Sequence, residues 1–226
     1  PEQGIIFIHS AETAVVEDVH LRSCIGQLVI EDTTSGELRG SSFKMAVNKL
    51  PVVDVSFLAS FSIYSTSFVS TTSTAFRASQ VDRIRVKDSY WEKCMADGGD
   101  GGAVFLSSTK EVLFEQTAFS QCSAANGGAI YSWQGAQINN CQFYNNSASL
   151  SGGAIYTAQQ YSHLDGCTFK SNSAPSGGAI FAQGSQVVMG RSIFEDNSAV
   201  SSSGGALQIG AKGGSNSPNP NKILII

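Results

Sequence analysis

Few residues of this 226-residue chain have the types and spacing to do chemistry. Five cysteines, Cys24, Cys94, Cys122, Cys141 and Cys167, make an odd set with no C-x-x-C pair, which argues against a zinc site and against a dense disulfide framework. Asp97-Gly-Gly-Asp100-Gly-Gly suggests a calcium loop, but calcium takes about six to eight oxygens. Two carboxylates without alternating ligands read better as a glycine-rich turn before a strand. Asn145-Asn146-Ser147 is an N-glycosylation sequon. Glu115 and Asp165 are carboxylates that could act as acid and base on a polysaccharide, provided the fold brings them to one face. Whether any of these groups meet depends on the elements that carry them.

Those elements repeat. Gly127-Gly128-Ala129-Ile130, Gly152-Gly153-Ala154-Ile155, Gly177-Gly178-Ala179-Ile180 and Gly204-Gly205-Ala206-Leu207 alternate with Phe143-x-x-Asn146, Phe169-x-x-Asn172 and Phe194-x-x-Asn197. A period of about 25 residues denotes a stack of like units. Charged residues are only 14% of the chain, Gly numbers 23, and the short apolar runs alternate with period two between Gly/Ser/Asn clusters, so the units are strands and turns. No stripe of helical period is found. The net charge of -4 gives no reason to expect nucleic acid as a partner. No apolar run reaches the ~18 residues of a membrane helix.

Aligned on the aromatic of F-x-x-N, the register extends backward through Leu21, Phe43, Phe68, Trp91, Phe119, Phe143, Phe169 and Phe194. Five residues before each anchor stands an apolar side chain, from Val16 and Leu38 to Leu164 and Met189. Three residues after come Cys24, Ala46, Thr71, Cys94, Cys122, Asn146, Asn172 and Asn197. This pattern predicts an all-β, right-handed parallel β-helix of about nine coils, each of about 25 residues, with like residues laddered about 4.8 Å apart. We read residues 1–226 as one such solenoid cut from a longer chain: degenerate coils over 1–97, full coils over 98–210, and a turn insertion with the start of a next coil over 211–226.

GGA[IL] alternating with F-x-x-N resembles the repeat of the chlamydial polymorphic outer-membrane protein family, whose motifs recur in surface proteins of other bacteria and of some protists. Both motifs together cover about residues 127 to 207. The resemblance implies a surface-exposed right-handed β-helix, and, by analogy with several members, adhesion.

On this frame the candidate sites can be placed. The Ile of GGAI points inward, so Phe105, Tyr131, Tyr156 and Phe181 form an outward aromatic column: a stacking platform for sugar rings, a docking strip for another chain, or rings covered for packing alone. Cys94 and Cys122 share a column in adjacent coils, as do Cys141 and Cys167; their spacing is within disulfide range but their Cβ vectors run parallel. Asn145 falls on a turn with its side chain outside. Glu115 and Asp165 lie two coils apart in one outward column of mixed charge, and His9, His20 and His163 share no column. We therefore expect no catalytic, metal or cofactor site. The expected role is an extracellular or cell-surface structural rod that packs laterally or end to end with protein partners, copies of itself among the candidates; the alternatives are an adhesin for glycans or a host receptor and, last, a polysaccharide lyase or hydrolase.

Overall fold

The computed structural model describes residues 3–22, 25–44, 49–158, 161–184, 186–200, 204–210 and 222–225. Every named element in it is a strand, and every strand pairing is parallel. The chain makes eight complete turns of a β-solenoid, about 25 residues each, and opens a ninth. Leu207–Gly210 and Lys222–Ile225 belong to that ninth coil, in line with the about nine expected; residues 211–221, including the expected turn insertion, lie outside the described ones.

Each full coil visits four faces. The first carries strands such as Val104–Ser107, Ile130–Ser132 and Ile155–Ala158; the second carries Glu111–Glu115, Gln137–Asn139 and Tyr161–Asp165. The third carries the aromatic anchors, and a short fourth begins at Ser123–Asn126. In the third and fourth coils the first two faces run together as the single strands Val53–Tyr64 and Phe76–Lys87. Corners there bend without breaking the strand, at Phe57 and Gln80, whose φ angles are 59° and 54°.

The register is the one the columns require. Leu21 pairs with Phe43, then Phe68, Trp91, Phe119, Phe143, Phe169 and Phe194. The column five residues earlier pairs likewise from Val16 to Met189. Both point into one continuous core. Parallel, in-register strands force identical side chains to stack, so Phe119, Phe143 and Phe169 lie ring on ring at 5.0 and 4.7 Å between centroids.

Turns are fixed by backbone chemistry. Gly127 has φ +60°, in the left-handed region where a side chain is strained. A Cβ on Gly128, its neighbour, would overlap the carbonyl oxygens of Gly153 and Ser147. One glycine makes the corner and the other lets the next coil close on it. After the anchor, Asn146 and Asn172 are wholly buried and form an amide ladder. Asn172 Oδ1 accepts from both the backbone N–H and the side-chain Nδ2 of Asn146, at 3.0 Å each, while Asn146 Nδ2 also donates to the Phe119 carbonyl.

Candidate functional site

The outward column of the first face runs Phe7, Val29, Asp54, Arg77, Phe105, Tyr131, Tyr156, Phe181 and Gln208. Its four central rings stack at 5.1, 5.0 and 5.5 Å, with planes within 14° of parallel. Tyr131 and Tyr156 are only 8% and 9% exposed although they face away from the core. With Ala158 they form a second apolar cluster on which Phe105 and Phe181 pack. The faces of the two tyrosine rings are taken up by their neighbours in the ladder. Within the stack only the two end rings, Phe105 and Phe181, have a face that no ring of the ladder covers.

Burial and the nearby Asp100 carboxylate push the Tyr131 hydroxyl up to about 12 and raise that of Tyr156. Tyr156 donates to Gln183 Oε1. Asp100 itself is fastened, accepting at one oxygen from the Asn126 backbone N–H at 3.1 Å and from Asn126 Nδ2 at 2.9 Å. Beside Phe105 an open trench of about 1090 Å³ runs across several coils, lined by Arg77, Met95, Asp97, Asp100 and Ser147. Arg77 is held over it by Asp54. The glycine-rich run itself is a turn, with Gly98 and Gly101 in the left-handed region at φ 68° and 65°.

Cys94, Cys122, Cys141 and Cys167 are buried free thiols. The two disulfides weighed from the sequence are not formed: parallel Cβ vectors leave each thiol to a backbone carbonyl. Cys94 donates to Phe68 and Glu92, and Cys167 to Ile138 and Asp165. Burial raises Cys122 well above its ordinary value and puts Cys141 and Cys167 at about 12 and 11, which makes them poor nucleophiles. Cys24 lies outside the described residues. Asn145 is exposed on a left-handed turn with φ 52°, its side chain outside as expected.

Glu115 and Asp165 stand in one column, separated by Asn139. Each has its own cation: Glu115 meets Arg85 at 3.2 Å and Asp165 makes a two-point contact with Arg191. The Arg191 guanidinium holds the Asp165 carboxyl below the usual range, the wrong direction for a proton donor.

A regular parallel coil with this register matches the model of the right-handed beta helix region over residues 74–223. The chain belongs to the right-handed β-helix family. No curated protein and no solved structure gives a significant match. This right-handed β-helix also joins residues that the motifs did not. Comparing the three histidines only with one another hides that His9 sits directly under Glu31 in the next coil, with Asp32 beside it. The coil spacing of 22 residues, already visible from Leu21 to Phe43, was the signal that could have found them.

Proposed function

We propose that this β-helix is a stiff, non-catalytic rod of an extracellular or cell-surface protein, a structural stretch that packs against protein partners, itself included. The repeat resemblance to polymorphic outer-membrane proteins belongs to the same proposal. The observation that carries it is the state of the outer carboxylates. Asp54, Glu115 and Asp165 are neutralised by Arg77, Arg85 and Arg191, and Asp82 and Glu195 by Lys110 and Lys170. Each of these pairs ties one coil to the next, and a carboxylate held by its own cation is poorly placed to carry a proton in acid–base chemistry.

Imaging of the native assembly tests this reading: rods lying side by side or end to end support it, whereas cleavage of acidic polysaccharides with added calcium overturns it. Adhesion is the second reading, and the trench beside Phe105 favours it, because that trench is open along the axis and carries both charge and an aromatic edge. Glycan-array binding by an isolated monomer, lost on Arg77→Ala, would decide for adhesion.

A further inference from the structure

We propose that His9, Glu31 and Asp32 form a binding site for a divalent transition metal, with Zn(II) as the ion. His9 ends the first strand of the first coil, pointing outward two residues after Phe7, and Glu31 occupies the same rung of the second coil. At Asp32 the chain turns through a left-handed corner with φ 51°, held by its N–H to the Ser56 carbonyl at 3.2 Å, and this corner swings the Asp32 carboxylate toward the imidazole. The Phe7 ring stacks on the His9 ring at 5.9 Å and fixes its plane.

The distances point to a metal and not to hydrogen bonds. His9 Nδ1 lies 3.5 Å from Glu31 Oε1 and 3.4 Å from Asp32 Oδ2. Both are longer than a normal N–H···O bond of about 2.7 to 3.2 Å. Zinc holds imidazole nitrogen and carboxylate oxygen at about 2.0 to 2.2 Å in a tetrahedron, whose edges are then about 3.3 to 3.6 Å. The two separations from Nδ1 thus match the edge length of a zinc tetrahedron, and all three ligand atoms lie within 4.8 Å of one another. Among the described residues this is the one group of three such side chains whose ligand atoms all lie within 4.8 Å of one another. The mixed nitrogen and oxygen donors suit Zn(II) over Mg(II) or Ca(II), which bind oxygen alone. The three side chains are 46%, 31% and 51% exposed, so an ion reaches them from solvent and the fourth position stays open to water or to a ligand from a neighbouring molecule. An ion there clips the first coil to the second at a corner.

Tag-free protein, titrated with Zn(II) against a chromophoric chelator, is expected to bind one equivalent. Co(II) in its place is expected to give the intense visible absorption of a tetrahedral site. His9→Gln and Glu31→Gln should each weaken Zn(II) at least tenfold with an unchanged far-UV circular dichroism spectrum. His20→Gln and His163→Gln should leave it as it was. Retained affinity in His9→Gln, loss of binding in either control variant, or a Co(II) spectrum of octahedral type would overturn the site.

Discussion

Two aromatic ladders run along this molecule, one inside the coil and one outside. The inner ladder stacks Phe43, Phe68, Trp91, Phe119, Phe143, Phe169 and Phe194 at 4.7 to 5.2 Å; the outer stacks Phe105, Tyr131, Tyr156 and Phe181 at 5.0 to 5.5 Å. Their internal geometry is nearly the same, yet Phe43 to Phe169 are fully buried in the main core and the outer rings belong to a small cluster at the surface. Stacking is therefore a consequence of parallel register and says nothing about binding. What separates the ladders is what meets the ring edges: core on one side, solvent and a trench on the other.

The largest expected effect tests that distinction directly. Phe143→Ala opens a cavity in the middle of the inner ladder and should cost about 3 to 5 kcal/mol in chemical denaturation. Tyr156→Ala, at the corresponding place of the outer ladder, should cost about half as much, since its neighbours can settle toward the gap from an open side. Equal losses would mean that the outer rings are core in all but name. Next comes Asn172→Ala, which leaves the Asn146 N–H and the Phe143 carbonyl buried without their partners and should cost about 2 to 4 kcal/mol. The same column holds Cys122 one coil before the amide ladder starts, its backbone N–H already donating to Asn146 Oδ1 at 3.0 Å. Cys122→Asn would prolong the ladder and is expected to keep or raise the unfolding midpoint.

This column also shows what was legible in the sequence. Inward positions were readable because each is a repeated apolar or amide side chain with its own packing reason, and even where the glycine pairs vanish the parity survives from Leu21 to Trp91. Corners were readable only where glycine makes them. Seventeen non-glycine residues among those described also take positive φ, and all fall in three corner columns, as at Asp18, Ser65 and Asp88, or at Ser70, Lys93 and Asn145. Asn and Asp tolerate that conformation best, but Ser, Gln and even Phe57, Lys93 and Arg191 take it here, so composition at these corners does not mark them. Outward positions were the least legible. Polarity places Tyr156 or His9 outside, but what each meets depends on a residue one coil away and on how a corner aims it, as Asp32 shows.

The thiols and the outer tyrosine sharpen the comparison by pH. Cys141 and Cys167 are raised by burial from 9.0 to about 12 and about 11, and Tyr131 from 10.0 to about 12. Above pH 9 the unfolded chain sheds thiol protons that the folded chain keeps, so it binds fewer protons and stability falls as pH rises, by about 1.4 kcal/mol per unit for each thiol. That contribution is complete below pH 9 and gone by about pH 12. Cys141→Ala should flatten the loss from pH 9 upward, whereas Tyr131→Phe should flatten it only from pH 10. Urea midpoints collected across this range separate the inner group from the outer one by where the curves part.

The smallest effect isolates the edge from the face. Tyr156→Phe keeps the ring between Tyr131 and Phe181 and removes only the hydroxyl that donates to Gln183, so the stack persists and the isolated chain should lose about 0.5 to 1.5 kcal/mol. The hydroxyl lies on the edge that faces outward, where a laterally packed neighbour would meet it. Sedimentation of the variant beside the parent chain therefore reads the role of the outer ladder apart from its stability. Unchanged association with a slightly lower unfolding midpoint assigns the hydroxyl to its own coil. Weakened association at the same midpoint makes that edge part of the contact between rods.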